Sequence, residues 1–380
     1  MPSHPVPTPA ALLDEVRLMH NIAHMQQRLQ TLGVRLRPHV KTAKCLPVAE
    51  RQRAAGSVGI TFSTLKEAER FFEAGERDIL YAVGITPNKL DAARGLRERG
   101  CDLTLLVDSM AAAQAVVAHG RDHGHRFAVM IEVDTDGHRA GIPPDDVRLV
   151  QVGRELQQGD TTLRGVMTHA GASYECRTPD ALRAMAEQER SRCVRAAGHL
   201  RAAGLPCPEV SIGSTPTALS ATSLAGVTEV RAGVYVFHDL VMRGLGVCRT
   251  DEIALSVLTT VIGHQPERGW MLVDAGWMAM SRDRGTQDQP EDCGYGAVCD
   301  EHGVPIDGLI MTGANQEHGI LAWRSGQAAA AGGDLQHRWP LGTLLRILPN
   351  HACATAAQFD HYEVQMADGT QARWPRFNGW

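Results

Sequence analysis

From Val16 to Leu32 apolar residues recur at helical spacing (Val16, Met19, Ile22, Met25, Leu29), and Gly33 ends the run. The pattern then changes to short apolar stretches at 34–42, 58–63, 78–84, 103–109, 126–134, 164–171, 209–216 and 229–237, eight predicted strands. Between several of them lie amphipathic segments closed by glycine, 65–75, 88–100 and 110–120, which predict crossover helices. Eight such units, with strands apolar on both faces, predict a (β/α)8 barrel. A doubly wound open sheet is the competing fold. The barrel is preferred because Lys41, Ser63, Asp134, His169, Ser214 and Arg231 all fall at the C-terminal ends of strands, the face where such barrels carry their sites.

After residue 245 the texture shifts to shorter strand-like runs at 252–263, 270–276 and 343–349, set between Gly- and Asp-rich turns. The reading divides the chain into a barrel over 16–245 and a mostly β domain over 246–380, to which residues 1–15 can add a strand.

Composition narrows the function classes. With 43% hydrophobic and 21% charged residues over 380 positions, the chain can bury a large core, which excludes disorder. The formal charge of −5 and the lack of a basic block argue against a nucleic-acid partner. No stretch approaches the ~18 apolar residues of a membrane span, and the Pro-rich start has no apolar export segment, so a cytoplasmic protein is expected. Nine cysteines with no CxxC pair point to free thiols rather than a disulfide framework.

Candidate chemistry sits at the strand exits. In RPHVKT, His39 and Lys41 are two apart and face the same way; an amine leaning into a partly desolvated site can condense with an aldehyde. A solvated surface lysine is the ordinary alternative, and Lys44 is the nearby competitor. In SIGSTPT, Ser214 and Thr215 follow Gly213 and can cradle a phosphate or simply cap a turn. EVRAGVYVF offers Arg231 as a permanent cation and Gly233 for close backbone approach. Arg139 follows a glycine turn, and His169 in THAG can lie against a planar ring or pack as a hydrogen-bonded histidine. In PNHACAT, His351 and Cys353 form an imidazole–thiolate pair suited to Zn2+, with open positions left over.

The ordered set RPHVKT, EVDTDGHRAG, THAG, SIGSTPT, EVRAGVYVF, DAGW, QEHG and PNHACAT resembles, along nearly the whole chain, the D-threonine aldolase and D-serine dehydratase family. The resemblance implies a pyridoxal 5'-phosphate (PLP) barrel like that of alanine racemase, a following β domain and a homodimer. It implies Lys41 as the lysine joined to PLP, and Arg139, His169, Ser214, Thr215, Arg231, Gly233 and Val234 around the cofactor. His351 and Cys353 would hold a divalent metal (Zn, Mn, Co or Mg). Aldolases of the family typically show His-x-Asp where this chain has His-x-Cys, so Cys353 favours dehydration. The substrate implied is a small 3-hydroxy D-amino acid, 3-hydroxyaspartate giving oxaloacetate and ammonia or D-serine giving pyruvate and ammonia. A retro-aldol reaction on D-threonine and a non-catalytic PLP carrier are the competing readings. Ala43 and Asp136 depart from the family pattern, at positions where many relatives carry His and Gly.

Overall fold

The computed structural model describes residues 6–324 and 335–380. Of the leading segment read as a source of an extra strand, residues 1–5 lie outside these, as do 325–334 of the predicted β domain. Strand β1 (Ala10–Asp14) and a helix (Glu15–Thr31) precede eight further strands: β2 (Arg35–Pro38), β3 (Ile60–Phe62), β4 (Asp78–Gly84), β5 (Asp102–Val107), β6 (Ala128–Glu132), β7 (Thr162–Met167), β8 (Glu209–Ile212) and β9 (Glu229–Ala232).

These eight pair in parallel in chain order from β3 to β9, and β9 then pairs with β2. A parallel bridge between His39 and Thr61 joins β2 to β3, with the Val40 N–H donating to Thr61 O at 3.0 Å. The sheet is therefore closed, as the (β/α)8 reading requires, and the doubly wound alternative fails. Closure explains the continuous apolar runs: all five residues of β6 are buried, because helices cover one side and the barrel interior the other. Leu80, Leu106, Met130 and Met167, one from each of four successive strands, form an interior cluster.

The crossover helices form where the pattern places them. Leu65–Glu73 buries Ala68, Phe71 and Phe72, and Thr64 caps it by accepting the Glu67 N–H at 3.1 Å. The helix Pro179–Ala202 is not among the helices the pattern predicts; between Leu182 and Leu200 its buried face carries Ala186, Glu189, Cys193, Ala196 and Ala197, too small and polar to read as an apolar stripe. Among the described residues no helix is long and apolar enough to cross a membrane.

A second, nine-stranded sheet contains β1 and eight strands from the C-terminal half, among them Leu255–Gln265, Gly296–Cys299 and Leu344–Pro349. Its pairings are antiparallel except where β1 lies parallel to His361–Gln365. Val257, Val261, Met271, Val273, Val298, Met311, Leu321 and Ile347 pack its core. By internal packing Ile22–Gly233 with Gly379–Trp380 forms one compact unit, and Met1–Asn21 with Val234–Asn378 the other.

Candidate active site

A cavity opens where the barrel strands end. His39, Lys41, Ser63, Arg139, His169, Tyr174, Ser214, Thr215, Arg231 and Gly233 line it. Most arrive by one device: parallel strands end together, so residues at or just past the ends face the same space, while Arg139 and Tyr174 come from the longer loops after β6 and β7. Lys41 stands in the turn beyond β2, since the strand stops at Pro38 and not at the lysine. Seven of the eight residues assigned to the cofactor are thus brought together. Val234 is not among the walls; it is buried and opens the short helix Val234–Val236, the first residue of the segment that belongs to the other compact unit.

The two lysines are distinguished by their partners. Lys44 takes a left-handed backbone (φ 45°) that turns its amine onto Glu67 Oε1 at 2.7 Å. Lys41 faces the cavity and has no carboxylate partner among the described residues. Its neighbours are uncharged imidazoles. Burial, followed by the charges of Lys41 and Arg231, holds His39 well below the usual imidazole value. Burial likewise lowers His169 to about 3, against a bond to Gly213 and with the charges of Lys41 and Arg139 behind it. His169 Nδ1 lies 3.0 Å from the Gly213 carbonyl, so Nδ1 carries the proton and donates it.

Arg231 is fixed from below. Its guanidinium donates to Ser211 Oγ at 2.9 Å and to the Thr168 carbonyl. Ser211 Oγ in turn donates to Glu229 Oε1 at 2.7 Å, and Arg37 Nε donates to Glu229 Oε2 at 2.9 Å. Burial lowers the Arg231 pKa, opposed by Glu229 and Glu189. Arg139 is more exposed, with one guanidinium nitrogen 3.4 Å from Glu132 Oε1.

Sequence reading missed Glu189. Its Oε1 accepts the backbone N–H groups of Ala170 and Gly213, both at 3.0 Å, and so ties the loop after β7 to the loop after β8. Ser173 Oγ and Ser214 Oγ, 2.9 Å apart, join the same two loops. The available signal was a charged residue on the buried face of a helix. Ser63 and Tyr174 complete the walls; the Tyr174 ring centroid is 6.4 Å from that of His169.

The β unit holds the other predicted group. His351 caps the short helix Ala352–Ala356, and Cys353 follows in its first turn. His351 Nδ1 lies 2.7 Å from Asp283 Oδ2, and the Ala352 N–H donates to Asp239 Oδ2 at 2.9 Å. Burial disfavours charge on His351, but Cys353, Asp283 and Asp239 outweigh it and raise its pKa to about 11. His351 thus sits beside Cys353 with Asp283 on its Nδ1, while Asp239 holds the backbone of the same turn. Asp239 and Asp283 carry no spacing signal, lying far from His351 in sequence. Arg282 stacks on Trp277 at 4.2 Å, and Arg284 pairs with Asp292 at 2.9 Å.

Comparison with known proteins agrees with this architecture. Residues 13–240 match the family described as alanine racemase, N-terminal domain, and 254–365 match the putative serine dehydratase domain. The chain is 63% identical over 374 residues to the D-threo-3-hydroxyaspartate dehydratase of Delftia sp. (strain HT23), covering 98% of each. It is 31% identical to the D-serine dehydratase of Dictyostelium discoideum over 94% of this chain and 93% of that one. A solved cysteine-to-alanine variant of D-threo-3-hydroxyaspartate dehydratase in the metal-free form superimposes with a TM-score of 0.96 at 62% identity, covering 99% of this chain and 98% of that one. The chain belongs to the D-serine dehydratase family, built from an alanine racemase-like barrel and a serine dehydratase domain.

Proposed function

We propose that this protein is a PLP- and divalent-metal-dependent dehydratase that converts D-threo-3-hydroxyaspartate to oxaloacetate and ammonia, with D-serine as a second substrate giving pyruvate and ammonia. The observation that carries the reading is the Lys41 amine facing a cavity walled by neutral His39 and His169, in a chain 63% identical to a D-threo-3-hydroxyaspartate dehydratase along its length. The enzyme is a carbon–oxygen lyase.

The residues present fit both groups. For PLP there is an amine without a carboxylate partner, a flat neutral imidazole, hydroxyls at Ser214 and Thr215, and a buried arginine facing one space. For the metal there is the His351–Cys353 pair with Asp239 and Asp283 behind it. Lys41 would hold the cofactor covalently. Ser214, Thr215 and Gly233 would receive its phosphate, with His169, Arg139 and Arg231 about the ring; Val234 is retained only as a flanking residue. His351 and Cys353 would ligate the ion. When bound, PLP supplies an electron sink for the substrate Cα, and the metal draws charge from the departing hydroxyl.

The chain's own groups do the rest. Lys41 Nζ, facing the cavity, would be the base that takes the substrate Cα proton. His169, holding its proton on Nδ1, stays neutral and offers no competing acid. Arg231, clamped by Ser211 and Thr168, keeps a fixed cation beneath the site without spending its mobility on substrate. Loss of water and then hydrolysis release oxaloacetate and ammonia, so the elements of water lost in elimination return in the last step.

The resemblance also supports a homodimer, and the sequence pattern supports a cytosolic protein with a barrel over 16–245 and a β domain over 246–380. The test of the main reading is an oxo-acid and ammonia assay across D-serine, D-threonine and the 3-hydroxyaspartate stereoisomers. Oxaloacetate with stoichiometric ammonia is expected from the D-threo isomer. Glycine plus an aldehyde would reject dehydration in favour of aldol cleavage, and no product from any of them would leave a PLP carrier.

A further inference from the structure

On the outer helical layer, away from the residues that line the Lys41 cavity, three side chains converge that the proposed reaction does not use. His119 lies in the last turn of the helix Met110–Asp122, and His123 caps its end. Four residues apart, they share a helix face, and their rings stack with centroids 4.2 Å apart and planes 25° from parallel. Asp91, from the first turn of the helix Leu90–Glu98, places Oδ1 3.5 Å from His119 Nε2.

Two details make this a ligand set. His123 Nδ1 lies 2.9 Å from the His119 carbonyl, which can only accept, so Nδ1 carries the proton and the Nε2 lone pair is left free. The same backbone bond orients metal-binding histidines generally. His119 Nε2 is buried and makes no hydrogen bond, with the Asp91 carboxylate at 3.5 Å its one ion-pair neighbour among the described residues. Phe127 backs the His119 ring at 5.9 Å and limits its freedom.

We infer that Asp91, His119 and His123 form a second divalent transition-metal site, a two-histidine, one-carboxylate site that joins these two helices. One ligand atom from each residue lies within 4.8 Å of the others. A tetrahedral zinc ion needs edges of roughly 3.4 Å, so closure asks for about an ångström of movement. Asp91 and His123 are exposed and can supply it. The end of a helix favours a cation there. Arg94, 3.3 Å from Asp91 Oδ1, is the competing partner, but it also reaches Glu98 at 2.8 Å and can stay on that carboxylate. Nitrogen-rich ligation selects Zn2+, Ni2+ or Co2+ over Mg2+.

Zinc or nickel chloride titrated calorimetrically into the holoenzyme should reveal one equivalent per chain that His123→Ala and Asp91→Asn each weaken at least tenfold. Turnover without added metal should be unchanged in both variants, and the wild-type melting temperature should rise with added metal more than theirs. Because His123 is exposed, its loss leaves the fold intact. The same equivalent should persist in His351→Ala, so failure of the proposed catalytic centre and failure of this site give different titrations. Superimposable wild-type and His123→Ala titrations would overturn the inference, as would an equivalent that disappears only with His351.

Discussion

Glu189 Oε1 accepts the Gly213 N–H at 3.0 Å while accepting that of Ala170 at the same distance, so one buried oxygen sets the spacing between the His169 loop and the Ser214 loop. Burial raises the Glu189 pKa even though these bonds oppose it. Glu189→Ala leaves two buried amides unpaired, at a cost of about 2–5 kcal/mol. Glu189→Gln keeps the accepting oxygen and should lose less. Urea unfolding of both variants measures the difference, and cofactor release should be faster in the alanine variant than in the glutamine one.

The bond between Asp283 and His351 makes a separate prediction about the metal. With Nδ1–H given to the carboxylate, Nε2 is the His351 nitrogen left to ligate an ion. Asp283→Ala should weaken metal affinity roughly 10- to 100-fold, with turnover restored at higher metal concentration. EDTA should abolish oxo-acid formation by the wild type, and added divalent ion should recover it. Activity that survives thorough chelation would remove the ion from the mechanism.

His169 supplies a pH dependence of defined sign. In the unfolded chain its imidazole takes a proton as pH falls through 6.5, whereas in the folded protein it resists until about 3. Between these values the unfolded state binds more protons, so stability falls as pH falls. The urea midpoint of the wild type should therefore drop between about pH 7 and about pH 4 by more than that of His169→Asn. His39 adds a slope of the same sign that both proteins retain.

Legibility followed locality. Lys41, His169, Ser214 and Arg231 could be read from sequence because closed parallel strands end on one face, so a polar residue at or just past each strand's end has only one place to go. Strand-end logic does not reach Val234, which only the family resemblance assigns; there, one residue after Gly233, the chain turns into a short helix. Glu189 and Asp283 were hidden because their partners are distant in sequence: Asp283 and His351 are 68 residues apart, and only the folded chain sets them side by side. In the C-terminal half, strands such as Gly296–Cys299 and Gly319–Trp323 are four or five residues long and glycine-bearing, too short to give a periodic signal.

The two amines near the barrel mouth separate the central claim most directly. Lys44 is held on Glu67 at 2.7 Å, while Lys41 faces the cavity. Borohydride reduction of the yellow holoenzyme, followed by peptide mass mapping, locates the lysine that carries the cofactor. The account predicts a phosphopyridoxyl group on Lys41 alone, with colour and label absent from Lys41→Ala and retained in Lys44→Met. A label on Lys44, or a protein that takes up no cofactor at all, would contradict it.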